Sequence, residues 1–440
     1  MATITLGNGD HLFVSDDKSD GDTISLGNGA HDRVSAASSQ HDTISLGNGA
    51  GDTVDTYDGG LLGFGSQYDT ITLGNGAGDT VNAYGPPGGF TVFDTITLGN
   101  GRGDIVNLFG GADNTISLGN GAGDKVVGTP NLSDFSSRQD VITLGNGAAD
   151  SVSLINSQGD TITLGNGAGD KVVIAGFFPS SGNTITLGDG AGDSVNVAYG
   201  QDGANTISLG DGAGDSVTFA GSHNTISVGS GRHDTVSTVY ASDSVIRVGD
   251  GDGDVVTLGF GSNNHISLGN GARDQVINTG PTPGGGNTIT LGNGSGDVVN
   301  DMGSNETITL GDGADRVVAG AHSIIRVGNG ADTIIAGAGS TITLGNGTDT
   351  VTAVSSLING GHGHDTFVFT GAFGRETVTN FSPLHDNIVL AHAMFANFAA
   401  VQGDMKQIGT SAVIAHDPAN TITLTNLQAS SLHASDFRFV

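Results

Sequence analysis

Residues 69–81 read DTITLGNGAGDTV, and close variants of that phrase recur from Thr3 to Asp365. Few folds can absorb one short unit repeated along most of a chain. Within the phrase the Ile and Leu of T-I-T-L point one way and the Thr residues the other, the period of a half-buried strand. A Gly-Asn-Gly bend follows, whose glycines permit φ > 0 conformations closed to other residues. An Asp ends the bend and a second short strand, T-V-x, begins. Bend centres at Asn8, Asn28, Asn48, Asn75, Asn100, Asn120, Asn146 and Asn166 continue through Asp189, Asp211, Ser230, Asp250, Asn270, Asn293, Asp312, Asn329 and Asn346. A short period with tolerated insertions is the mark of a solenoid. The early rungs also show a half-period, with strands opening at Asp22, Asp32, Asp42 and Asp52. Two halves make one coil, so two strands should face each other across a thin core. The expected fold is all-β: a parallel β-roll, two strands per coil, of about 18 rungs.

Composition agrees with a thin core. The chain has 440 residues, which would ordinarily suggest two or three globular domains, but 77 are Gly, 18 are Phe, and Cys and Trp are absent. Disulfides and thiolate metal sites are thereby excluded. Of the 45 acidic residues only Glu306 and Glu376 are Glu. A merely acidic surface would use both; near-exclusive Asp means short carboxylates placed in turns, where they bond backbone or a metal. The net charge of −31 disfavours nucleic acid or an anionic membrane and favours a bound cation. No stretch reaches the roughly 18–20 apolar residues of a membrane-spanning helix. MATITLGNGD enters the repeat at once, so the expectation is export without a cleaved N-terminal signal.

The bend-ending carboxylates are Asp32, Asp52, Asp79, Asp104, Asp124, Asp150, Asp170, Asp193, Asp215, Asp234, Asp254, Asp274, Asp297, Asp315, Asp332, Asp349 and Asp365. Stacked at about 4.8 Å along a solenoid axis, they would repel unless neutralised. A hard divalent cation between rungs, taking carboxylate oxygens and bend carbonyls, meets that need, and flexible oxygen-rich loops suit calcium better than magnesium. Multiple Ca2+ ions held by these aspartates are therefore expected. The competing reading is that Asp merely caps turns by accepting backbone N–H groups. It suits the opposite bend, where Asp22, Asp42, Asp69, Asp94, Asp140 and Asp160 alternate with Asn114, Asn183, Asn205 and Asn224. His31, His41, His233, His362 and His364 lie in bends and read as solvated loop residues. Neither an HExxH helix, a GxSxG elbow, a P-loop nor a cysteine nucleophile occurs, so no enzyme is expected.

Insertions at 55–68, 82–93, 107–113, 128–139, 173–182 and 278–286 all follow the second strand, so they should leave one edge. Several carry aromatic or apolar residues: Tyr57, Leu61, Leu62, Phe64, Tyr68, Tyr84, Phe90, Phe93, Leu108, Phe109, Phe135, Phe177 and Phe178. Such loops either cover an open edge or bind a cell-surface or polysaccharide ligand. In the first rung Leu12 stands where later rungs have Asp, beside Phe13 and Val14. Its strand edge is expected to dock on another copy, giving a homo-oligomer, filament or sheet.

The rungs LGDGADRVV, VGNGADTII, LGNGTDTVT and GGHGHDTFV resemble the nonapeptide G-G-x-G-x-D-x-U-x of the RTX (repeats-in-toxin) proteins, with Gly361, Gly363 and Asp365 at the matching positions. Most rungs before residue 310 follow the spacing of GNGAGD, one residue longer between the Gly pair and the Asp. Residues 357–440, with GGHGHDTFVF, the TNF…HDNIVL stretch and the DFRFV terminus, are similar to the C-terminal region of serralysin-type and other type I secretion substrates. The resemblance implies a calcium-loaded parallel β-roll over 1–365, a C-terminal cap and secretion target over 366–440, and type I secretion machinery as a partner. It also implies an extracellular or cell-surface location. The expected role is structural, as a surface-layer, matrix or adhesive component. The rivals are ice binding through the T-I-T/S ladder, which Val141, Arg247, His265 and Arg326 interrupt, and a contact-dependent toxin or bacteriocin.

Overall fold

A computed structural model of the chain describes residues 1–16, 18–37, 39–56, 67–84, 92–129, 137–176, 180–198, 203–278 and 284–440. The Cα positions group into two units, Met1–Gly231 and Arg232–Val440. Each is a parallel β-solenoid with two strands per coil, as the repeat predicts.

In the first unit the T-I-T strands form one sheet and the T-V strands the other. The first sheet runs from Thr3–Thr5 through Thr23–Ser25, Thr43–Ser45 and Thr70–Thr72 to Thr225–Val228; the second runs from Phe13–Ser15 through Arg33–Ser35 and Thr53–Asp55 to Ser216–Ala220. Register holds rung for rung, with Ile4 opposite Ile24 and Ile24 opposite Ile44. It also holds across the insertions, since Ile44 still pairs with Ile71. Pattern explains this: a slip by one residue would turn every Ile to solvent and every Thr inward.

Side chains from the two sheets meet in a thin dry layer. Ile24, Ile44, Ile71 and Ile96 line one wall and Val34, Val54, Val81 and Val106 the other, all fully buried. Leu26, Leu46, Leu73 and Leu98 fill the corner before each bend and are also buried. Each such side chain contributes about 1.5–3 kcal/mol of transfer free energy.

The two glycines of the Gly-Asn-Gly bend itself do not use the φ > 0 freedom that glycine permits. None of Gly47, Gly49, Gly74 or Gly76 has positive φ. Their constraint is contact between rungs: a Cβ on Gly76 would stand 1.6 Å from the carbonyl oxygen of Gly49, and one on Gly74 2.3 Å from that of Gly47. The left-handed residue is the one just before the bend-ending Asp, such as Gly51 (φ 75) and Gly78 (φ 73), or His31 (φ 60) and Ala149 (φ 63). That residue is the extra one in GNGAGD.

The second unit repeats the scheme from Thr235–Val239 and Val245–Val248 onward. Beyond Asp365 the T-V sheet continues through Thr366–Phe369, Asn387–Leu390 and Phe437–Phe439, in parallel. The other sheet takes Arg375–Thr379 and Thr421–Leu424, then two antiparallel strands, Ser411–Ala415 and Met405–Ile408. A short helix, Phe398–Asp404, is capped by the Asn397 side chain accepting from the Ala400 N–H. Phe367, Phe369, Phe373, Phe395 and Phe437 fill this wider end.

Inserted segments leave between the end of a T-V strand and the start of the next T-I-T strand. Tyr57, Leu61, Leu62, Phe64, Phe90, Phe135, Phe177 and Phe178 lie outside the described residues. Of the rest, Tyr68 stacks between His41 and Phe93 at ring spacings of 5.0 and 5.2 Å. Tyr84 stacks on Phe109 at 4.0 Å. Leu108 differs from the loop reading, because it points inward and is buried in the core. No helix among the described residues is long and apolar enough to cross a membrane.

Candidate cation-binding edge

Every rung must satisfy backbone N–H groups at its two bends, where the sheet ladders stop. At both edges a side chain one rung ahead does this. On the GNGxGD edge of the first unit the Asp32 N–H donates to Asp52 Oδ1 at 2.9 Å, Asp52 to Asp79 at 3.0 Å, Asp79 to Asp104 at 3.1 Å and Asp104 to Asp124 at 3.0 Å. Asp124, Asp150, Asp170, Asp193 and Asp215 continue the series at 2.9–3.0 Å. In the second unit it runs Asp234, Asp254, Asp274, Asp297, Asp315, Asp332, Asp349 and Asp365 at 2.9–3.1 Å. The sequence-predicted aspartates thus form one column in each unit. Some accept twice, as when the Gly253 N–H also donates to Asp274 Oδ1 at 3.0 Å.

Turn capping occupies only one oxygen of each carboxylate. In all of these aspartates, from Asp32 to Asp365, Oδ2 is buried and accepts no hydrogen bond. The side chains are 0–3% exposed. A buried ionised carboxylate with an unmet oxygen is expensive, and it recurs here at every rung. Burial accordingly pushes Asp79, Asp104, Asp170 and Asp193 up to about 6. Asp150, Asp254, Asp297, Asp332 and Asp365 reach about 7, where the carboxylates one rung away add to the burial. The donated N–H bonds act in the opposite sense and are outweighed.

The opposite edge serves as an internal control. There Asp22 donates its N–H to Asp42 Oδ1 at 2.8 Å, and Asp42 to Asp69 at 2.9 Å. The same role passes freely to amides: Asp94 donates to Asn114, Asn183 to Asn205, and Asn264 to Asn287, each at 3.0 Å. Asn183, Asn205 and Asn264 also link rungs through Nδ2 at 3.1–3.2 Å. Ser340 accepts from Ser323, and Glu306 and Glu376 accept from Asn287 and Ser356. Backbone capping therefore does not demand a carboxylate, yet the GNGxGD edge has Asp on every rung from 32 to 365. The carboxyl group itself is what that edge retains.

One unsatisfied anionic oxygen per rung, repeated at rung spacing beside carbonyl-rich glycine bends, fits a hard oxygen-seeking cation. Among the described residues no three His, Asp or Glu side chains converge as a metal cluster. An ion here would draw on successive aspartates and on bend carbonyls together.

The sequence reading missed one member of the column. Asp386 accepts the Asp365 N–H at 3.0 Å and extends the ladder into the C-terminal region. Its signal was the H-D-N-I-V-L run, which matches the half-repeat without a Gly-Asn-Gly before it. The bend histidines His31, His41 and His233 sit at φ 60–62, in the left-handed region where His is enriched. His364 Nδ1 contacts the His385 carbonyl at 3.2 Å. No family model matches the chain, and no curated protein matches it.

Proposed function

We propose that the chain is a calcium-binding structural protein of the extracellular space, a component of a surface layer, matrix or adhesive. The observation that carries this is the contrast between the two edges: one accepts Asn, Ser and Glu, while the other keeps a buried, half-satisfied Asp at every rung. Calcium between rungs would neutralise the column and link each coil to the next. Because the sites assemble only as the rungs stack, binding would supply folding free energy. Extracellular modules of this kind respond near 10⁻⁴–10⁻³ M calcium, which would leave the chain unfolded for export and fold it outside. The resemblance of residues 357–440 to type I secretion substrates supports that route, and a β-solenoid with no enzymatic motif suits a structural role. The test is circular dichroism and thermal melting in EGTA and in millimolar calcium. The proposal expects strand signal and melting temperature to rise with calcium; identical curves would refute it.

A second reading has its own observation. On the outer face of the T-I-T sheet the flanking hydroxyls stand in register, with Thr70 beside Thr95 and Thr72 beside Thr97. In the first unit the double column runs from Thr3 to Ser227, with Val141 the one break in it. A regular outward hydroxyl array is the surface that ice binding requires. Thermal hysteresis of the purified chain decides it: measurable hysteresis, lost on Thr95→Lys, supports ice binding, and its absence rules it out.

A further inference from the structure

In the second unit one inward-facing column breaks the rule of an apolar core. Along the T-V sheet Leu258 pairs with Asn278, Asn278 with Asp301 and Asp301 with Ala319. The equivalent column of the first unit is Leu154, Ile174, Val197 and Phe219. Asn278 is 5% exposed and Asp301 fully buried, and the fully buried Glu306 joins them from the adjoining edge ladder. Asp301 accepts from three donors, the Gly303 N–H and Asn278 Nδ2, each at 2.9 Å, and Asn287 Nδ2 at 3.1 Å, yet burial still pushes its carboxyl up. Glu306 Oε2 accepts the Asn287 N–H at 2.8 Å. Two oxygens remain without a donor, Glu306 Oε1 and Asn278 Oδ1.

Glu306 Oε1 lies with an Asp301 oxygen and a backbone carbonyl around Gly303, and Asn278 adjoins them through its Nδ2 bond to Asp301. A Cβ on Gly303 would stand 2.1 Å from the Gly284 carbonyl oxygen, 2.4 Å from Glu306 Oε1 and 2.9 Å from Asp301 Oδ1. The ion pairs found among the described residues lie elsewhere, so no basic side chain offsets the two carboxylates. Two buried acids without a counter-charge are a strongly unfavourable arrangement.

We propose that Asp301, Glu306 and Asn278 form an internal site for one hard, oxygen-seeking divalent cation, separate from the aspartate column. Calcium suits the donor set, which is carboxylate, amide and carbonyl oxygen. The site lies on the opposite edge from the GNGxGD bends, does not depend on them, and would pin successive rungs from inside the core. The rival explanation is a proton shared between Glu306 and Asp301.

The test uses the full chain. Crystals of the unaltered protein soaked in terbium should give an anomalous peak bounded by Asp301, Glu306 and Asn278. A peak there with none along the aspartate column would leave this site standing and remove the column proposal; no peak there would overturn it. Native mass spectrometry in calcium gives an independent count. Asp301→Asn/Glu306→Gln should hold one ion fewer than the parent, while Asp124→Asn should keep the core ion. An unchanged count, or a Glu306→Gln chain that binds as many ions and simply melts higher at pH 8, would assign the pair to a shared proton.

Discussion

Gly76 and Gly78 stand in the same bend and are glycine for different reasons. At Gly76 a Cβ would strike the Gly49 carbonyl oxygen, a backbone atom that cannot move aside without parting two rungs. At Gly78 nothing lies within 4 Å and only the left-handed φ is at issue. Gly76→Ala should therefore destabilise by about 3 kcal/mol, and Gly78→Ala by about 1 kcal/mol. Ala149, native at the position equivalent to Gly78, already shows that the second change is tolerated. Urea melts of the two variants check the ordering, and equal losses would contradict it. The sequence announced that glycine was required in these bends but not why, since close approach between rungs depends on contacts some twenty residues away. Asn278 and Asp301 were illegible for a similar reason. Q-V-I-N and V-V-N-D read as strands running out into polar bends, and only the register shows the last residue of each, Asn278 and Asp301, turned into the core.

At the scale of a strand and its bend, alternation made the elements readable. T-I-T and T-V-x can bury one face only as strands, and they do so with Ile116 and Val126 at 1% and 0% exposure. Ile207→Ala, in the middle of a stack, should cost about 2–5 kcal/mol, measured by the same melts; a loss under 1 kcal/mol would mean the core is not the tight layer described. The edge residues were legible as turn-formers, but their direction, each side chain serving the rung before it, was not. The Asn-tolerant edge yields a pH prediction. Burial, with the neighbouring Asp160, pushes Asp140 up to about 8 from an ordinary value of 3.8. The folded state therefore holds a proton that the unfolded chain releases, so this contribution is complete below about pH 4 and is lost as pH rises through about 8. Asp140→Asn, copying the native Asn114 of the preceding rung, should raise stability at pH 8 by a few kcal/mol, on the order set by the size of that shift. It should change little at pH 4. An equal effect at both values, measured in EGTA, would show that Asp140 folds ionised.

Across the whole molecule the repeat dictated the architecture because each coil solves one problem the same way: two narrow apolar walls, two bends, and a side chain to close each bend. The bends differ in what they tolerate, and the account of function rests on that difference. The most direct measurement compares them. Asp104→Asn/Asp124→Asn on one edge and Asp69→Asn/Asp94→Asn on the other replace the same chemistry and preserve the acceptor oxygen that caps the backbone. Thermal melts of both double variants and the parent would be taken at pH 7.5, in EGTA and in 5 mM calcium, a concentration above the roughly 10⁻³ M range of extracellular sites. The account predicts that the parent and the Asp69/Asp94 variant are stabilised alike by calcium, and that the Asp104/Asp124 variant gains measurably less. Equal stabilisation of all three, or none in the parent, would contradict it.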